Sequence, residues 1–217
     1  MNLSGKTIGF ALTGSFCTFS RVFPQAEALV KAGARVIPVL SFNAWALDTR
    51  FFKAGEVRAR LREITGEEPL HTLEAVEPFG PKKALDLLVI APCTGNTLAK
   101  LAAGIADTPV TLAAKSHLRN ERPVLVAVST NDGLAAAAKN IGALSGARHY
   151  YFVPYGQDAP DGKPRSLVAH FDRFRNAPAP RCPACRRSRC WCEGKVRDVW
   201  PGALSAHKKR TGANPVR

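Results

Sequence analysis

Apolar residues fall along this chain in short runs of five or six, each followed by a polar turn and then by helical periodicity. The clearest case lies at 87–108. Leu87-Leu88-Val89-Ile90-Ala91 is a continuous, largely branched run ending at Pro92, which predicts a strand buried on both faces and stopped by the proline. A polar turn follows, Cys93-Thr94-Gly95-Asn96-Thr97, and then Leu98, Leu101, Ala102 and Ile105 recur at helical spacing. The same order is read at Thr7–Leu12, where the turn is Thr13-Gly14-Ser15 and the helix carries Ala26, Leu29 and Val30 up to Gly33. It recurs at 34–40, ending in Ser41-Phe42-Asn43, and at 123–128, ending in Ser129-Thr130-Asn131-Asp132. The tract Ala135–Ala138 predicts helix from propensity alone, and residues 149–153 predict a last strand. The stretch with Val57, Leu61 and Ile64 spaced for burial turns Arg58, Arg60 and Arg62 outward, as a solvated face. His71 falls in a loop and reads as a surface residue.

Strand–helix alternation throughout predicts an α/β fold, a three-layer Rossmann/flavodoxin-like sandwich with a mostly parallel sheet. The turns then share one edge of the sheet, the carboxyl ends of the strands, where such folds bind ligands. The crevice expected there is lined by Gly14, Ser15, Ser41, Thr94, Gly95, Asn96 and Ser129. Gly14 lets the backbone approach a ligand, and Ser15 and Thr18 supply hydroxyls near a helix start, which suits one phosphate better than two. A Gly-x-Gly-x-x-Gly fingerprint is not matched. Two readings of the Cys93–Thr97 turn stand: free amide groups facing an anion or electron-rich ring, or a strand–helix connection capped by Thr94 or Asn96 with no ligand. Groups expected there for acid–base work are few: Asp132, Asp158, Lys115 and Arg119.

The wording of the turns carries a resemblance. Ala91-Pro92-Cys93-Thr94-Gly95-Asn96-Thr97-Leu98-Ala99-Lys100, with Gly104-Ile105-Ala106-Asp107, resembles the signature of the flavin-binding cysteine decarboxylase superfamily, whose turn lies against FMN. Within it, the body of the chain resembles the dipicolinate synthase B-subunit family. The resembling pieces include Gly14-Ser15-Phe16-Cys17-Thr18, Val22-Phe23-Pro24-Gln25, Ser41-Phe42-Asn43, Ala113-Ala114-Lys115, Ser129-Thr130-Asn131-Asp132 and Pro154-Tyr155-Gly156-Gln157-Asp158. The resemblance implies FMN as cofactor, with the hydroxyl of Ser41 helping to hold its phosphate, and a homo-oligomer with sites at subunit interfaces. It also implies a partner, the A subunit of dipicolinate synthase, of Rossmann type, bringing NADP or NAD. Together the two would oxidise a dihydro- or hydroxytetrahydrodipicolinate to the aromatic diacid during sporulation. Asn96, Lys115 and Arg119 are then the catalytic candidates, and Lys115, Arg119 and Arg122 suit a small dicarboxylate substrate electrostatically. The alternatives are a non-catalytic partner stabilising the A subunit, or an FMN-dependent decarboxylase-like flavoprotein. Oxidation of a peptidyl cysteine is disfavoured. The histidine that decarboxylases carry before this strand is replaced by Glu77-Pro78-Phe79-Gly80-Pro81-Lys82-Lys83, and Ser129-Thr130-Asn131-Asp132 stands in place of their Pro-x-Met-Asn motif.

Charge divides the chain. Of a net +14, residues 173–217 hold +10, with 12 Lys and Arg against 2 acids, and the remainder is mildly basic. Residues 1–172 are accordingly expected to form the α/β domain. Residues 173–217 are read as a basic Cys-rich tail, disordered or, through a change of reading frame, non-native. Cys182, Cys185, Cys190 and Cys192 could gather zinc, but the four-residue gap between the pairs is short and no core-forming sequence surrounds them. A zinc knuckle on nucleic acid is therefore the lesser reading. Cys17 and Cys93 are isolated, as in a reducing compartment. No apolar run is long enough to span a membrane and no signal peptide opens the chain, so a cytoplasmic protein is expected.

Overall fold

The computed structural model describes residues 3–176. β1 (Thr7–Leu12) passes through a 3-10 turn at Phe16–Thr18 into α1 (Phe19–Lys31), then β2 (Arg35–Leu40), the short α2 (Phe42–Ala46), α3 (Ala54–Thr65) and one-turn α4 (Leu73–Val76). β3 (Leu87–Cys93), α5 (Gly95–Ala102), α6 (Pro109–Leu118), β4 (Val124–Thr130), α7 (Ala138–Gly146), β5 (Tyr150–Phe152), β6 (Tyr155–Ala159) and β7 (Lys163–Ala169) complete it, with a final 3-10 segment at Phe171–Asn176.

Five strands run parallel in the order β2-β1-β3-β4-β5, the doubly wound order whose switch point lies between β1 and β3. β3 alternates across the sheet. Leu87, Val89 and Ala91 pack into a layer with α1, α3 and the final 3-10 segment, while Leu88, Ile90 and Cys93 pack against α5, α6 and α7. This is the three-layer α/β sandwich with a mostly parallel sheet. β5 covers only the first half of β4. β7 takes over antiparallel at Ser129 and Thr130, and β6 pairs with β7. The β6–β7 hairpin, joined across Pro160-Asp161-Gly162, therefore extends beyond the carboxyl edge of the parallel strands.

Several local expectations are corrected. Pro92 does not stop β3, which runs to Cys93 through a cis Ala91–Pro92 bond and an irregularity in its pairing with β4. α5 ends at Ala102, before Gly104 in the left-handed region, so Ile105 lies outside the helix and is exposed. Ala135–Ala137 form turns rather than helix, because the amides of Ala135 and Ala137 bond back to the Asp132 carbonyl and that of Leu134 to Arg165. His117, in the last turn of α6, is buried, a placement no sequence pattern indicates, with Nε2 donating to the Pro123 carbonyl at 2.9 Å. His71 and Arg58 are half-buried around one ring. His71 stacks on Trp45 with centroids 3.4 Å apart, and the Arg58 guanidinium lies 4.6 Å over the same ring while donating to the Trp45 carbonyl.

Phe174, beyond the boundary expected at 172, is buried and packs against Phe10 with ring centroids 6.3 Å apart. The tail readings, including the set Cys182, Cys185, Cys190 and Cys192, lie outside the described residues. Among those described, no helix is long and apolar enough to cross a membrane, and no group of His, Cys, Asp or Glu has the arrangement of a metal site.

Candidate functional site

The ends of β1 and β3 are clasped together by Thr13, whose side chain is almost fully buried. Its hydroxyl donates to the Pro92 carbonyl at 2.7 Å and accepts from the Thr94 amide at 3.0 Å, while its own amide donates to Pro92. This holds the Gly14–Ser15 turn beside the Thr94–Asn96 turn at the switch point. Thr94 is the N-cap of α5, its hydroxyl accepting from the Thr97 amide at 3.4 Å, so of the two candidate caps Thr94 is used. The exposed side chain of Asn96 makes no hydrogen bond among the described residues. The first-turn amides of Gly95 and Asn96 have no helical acceptor either.

The third turn closes from β4. The Ser129 and Ser15 hydroxyls are 2.7 Å apart and bonded, and the Thr130 hydroxyl donates to the Asp132 carboxylate. A side chain at Gly95 would collide with the Thr130 and Asp132 groups, since an added Cβ would lie 2.6 Å from Thr130 Oγ1 and 2.7 Å from Asp132 Oδ1. Together these turns border a crevice of about 610 Å³, within the usual range for small-molecule sites. Gly14, Ser15, Thr94, Gly95, Asn96 and Ser129, expected to meet there, all line it.

Three expected residues do not. Ser41 is absent from the lining: its hydroxyl is spent on the N-cap of α2, accepting from Ala44 at 3.3 Å, and its amide bonds Leu12. Lys115 and Arg119 stand at the other edge of the sheet. α6 runs back toward the start of β4, where His117 bonds Pro123 and the Arg122 guanidinium donates to the carbonyls of Lys83 and Leu85, just before β3. Their exposed charges therefore lie away from the crevice of their own chain.

The cations that do line it were not expected there: Arg21, in the first turn of α1, and Lys163, at the start of β7. The Arg21 guanidinium lies 5.1 Å over the Phe171 ring and makes no ion pair among the described residues. Lys163 Nζ is 2.7 Å from Asp158 Oδ2, a contact that raises the lysine pKa chiefly through their hydrogen bond. Asp132 and Asp158 are the lining acids, both anticipated; the wall formed by Lys163, Ser166, Leu167 and Val168 comes from a hairpin absent from the expected elements. Pro160-Asp161-Gly162 was its signal, since proline followed by Asp-Gly is turn chemistry.

The Flavoprotein family model matches residues 1–152. The B subunit of dipicolinate synthase from Bacillus subtilis (strain 168) is 47% identical over 171 residues, covering 79% of this chain and 86% of that protein. The crystal structure of the dipicolinate synthase B subunit from Bacillus halodurans C superposes with a TM-score of 0.73 at 45% identity, covering 79% of this chain and 88% of that one. The FMN-dependent cysteine decarboxylase TvaF from thioviridamide biosynthesis superposes at 0.52 with 28% identity, over 65% of this chain and 85% of that one.

Proposed function

The chain belongs to the Flavoprotein family and, within it, to the B subunits of dipicolinate synthase, and on that premise we propose that its crevice serves the oxidation of a dihydro- or hydroxytetrahydrodipicolinate to dipicolinate, together with an A subunit. The observation that carries the reading is the crevice at the β1/β3 switch point, built from the same turns that resemble the flavin-binding signature. Its residues fit FMN. The hydroxyls of Ser15 and Ser129, the free amide of Asn96 and the first amides of α5 offer hydrogen bonds to a flavin ring edge or a phosphate, and no side chain at position 95 obstructs them. FMN, when bound, would supply two-electron redox capacity.

Oxidation of the dihydro ring removes a hydride and a proton, and the nicotinamide cofactor of the A subunit is the hydride acceptor in this reading. The crevice residues orient the ring and exclude water from one side of it; the hairpin wall with Leu167 and Val168 provides the apolar part. A homo-oligomer in the cytoplasm of the mother cell of a spore-forming bacterium completes the proposal. A second reading, a non-catalytic partner that stabilises the A subunit, draws on the scarcity of proton-transfer groups: Lys163 is tied to Asp158, and Asp132 accepts from Thr130.

The test is an assay of the purified chain, first by itself and then mixed with the A subunit, supplied with precursor and NADP and followed by the ultraviolet absorbance of dipicolinate. A visible spectrum of the lone chain is taken from the same preparation. Product formation that needs both chains, with a flavin spectrum from this one, is the expected result. Full activity from the A subunit by itself, and a colourless chain, would leave this protein a structural partner.

A further inference from the structure

The two cations of the crevice are held in opposite ways, and the difference points to a ligand. Arg21 is in the first turn of α1, a thirteen-residue helix with no acidic residue in that turn. A cation there opposes the positive end of the helix dipole, an unfavourable placement that a bound anion reverses. Its guanidinium is fixed over the Phe171 ring rather than by a carboxylate. Across the crevice, Lys163 is already paired with Asp158 on the facing strand of the hairpin. Between Lys163 and the sheet lies Ser166, only 6% exposed, whose hydroxyl makes no hydrogen bond within the chain among the described residues. Its oxygen still opens onto the crevice, since the one side-chain polar atom fully buried without a partner among the described residues is Nδ1 of His117. An unpaired guanidinium, a partnerless hydroxyl and an ammonium thus line one cavity of small-molecule size.

We propose that Arg21, Ser166 and Lys163 form a carboxylate seat: Arg21 grips one carboxylate of a ring dicarboxylate, and Lys163, shared with Asp158, receives the other. The inference rests on the reading above that such a dicarboxylate uses this crevice, and it names the residues that read its charge. Asp158 acts as a placeholder. It holds Lys163 over the crevice while weakening the seat by its own charge, and that sets the affinity low enough for product to leave. Asp132, the remaining lining acid, accepts the Thr130 hydroxyl and stays out of the seat.

Binding of dipicolinate to the full chain, by isothermal titration calorimetry, tests this in Arg21→Gln, Arg21→Lys and Asp158→Asn, with FMN and riboflavin titrated in parallel. Arg21→Gln is expected to weaken dipicolinate binding by about tenfold or more, since a charge-assisted hydrogen bond is lost. Arg21→Lys should lose less, and Asp158→Asn should bind about threefold more tightly. FMN affinity should be unchanged in all three. The opposite signs at Arg21 and Asp158 are something a merely structural role would not produce. Equal dipicolinate affinity in wild type and both Arg21 variants overturns the seat while leaving the proposed function standing. Unaltered affinity in Asp158→Asn removes Lys163 from it. Loss of FMN but not riboflavin binding in Arg21→Gln would make Arg21 a seat for the flavin phosphate instead. No binding of dipicolinate to the wild-type chain would also overturn the seat, while the assay with the A subunit decides the proposed function by itself.

Discussion

Two thiols in the body of the chain stand in opposite surroundings. Cys17 is exposed at the crevice, with its sulfur 3.9 Å from the Ser15 hydroxyl, whereas Cys93 is buried at the end of β3, where desolvation pushes its thiol pKa up. Since the thiolate is the reactive form, iodoacetamide should modify Cys17 in the native protein and leave Cys93 untouched until the chain is unfolded. Peptide mass mapping separates the two sites, and native labelling of Cys93 would contradict the packing. At Asn96 the proposed flavin contact gives a second expectation. Asn96→Ala should weaken flavin retention by about 1 kcal/mol or more through loss of a ring-edge hydrogen bond, at little cost to folding because its side chain is exposed and unbonded. Unchanged flavin affinity in that variant removes Asn96 from the site. Asn96 is by type the better cap, yet the backbone geometry assigns the cap to Thr94 and frees Asn96. Nor does any periodicity reveal that Thr13 clasps β1 to β3 through a backbone carbonyl.

Among the elements, the parallel strands were legible because burial on both faces writes an unbroken apolar run, as in Leu87–Ile90 and in the tract 124–128. The hairpin was not. β6 reads Tyr-Gly-Gln-Asp-Ala, half-exposed and without a run, and β7 opens with Lys163-Pro164-Arg165. What pins the hairpin is tertiary: pairing with the end of β4 and contact with Gly133. The same contact explains why Ala135–Ala137 are not helical, since Leu134 bonds Arg165 of β7 and the turn must stay open to meet it. Propensity yields there to strand pairing, at a site that supplies a crevice wall. An added Cβ at Gly133 would lie 2.5 to 2.7 Å from three atoms of Leu167, including its Cβ, so it cannot be relieved by moving the side-chain tip alone. Gly133→Ala is therefore expected to destabilise the protein by about 1–3 kcal/mol and to speed amide hydrogen exchange across β6 and β7 more than in β1 or β3. Equal acceleration throughout the sheet would show that the hairpin is not an independently opening unit. Charge and resemblance point Lys115 and Arg119 to the crevice, but a helix returning to start the next strand carries its last turn to the far edge.

For the molecule as a whole, the far edge of the sheet holds its own consequence. His117 is completely buried between the last turn of α6 and the start of β4. A carbonyl only accepts, so the proton sits on Nε2 facing Pro123, and Nδ1 has no hydrogen-bond partner among the described residues. Burial is the main force keeping the ring neutral. The nearby Arg122 and His149 also disfavour a positive imidazole, while the Pro123 carbonyl and Asp86 favour it, and the net pKa falls from 6.5 to about 4. An unfolded chain binds a proton at this ring near pH 6.5, which the folded chain refuses until about pH 4. Stability from this group is thus fully present above pH 6.5 and is lost as pH falls through that window, by about 3 kcal/mol in all. His117→Gln keeps a donor where Nε2 stood and removes the titration. Urea unfolding between pH 7 and 4 should therefore show a shallower loss of stability in the variant than in the wild type, the two curves converging on acidification even though the variant starts less stable at pH 7. Parallel curves would mean that protonation of the unfolded chain elsewhere, rather than at this buried ring, governs the acid sensitivity of the fold.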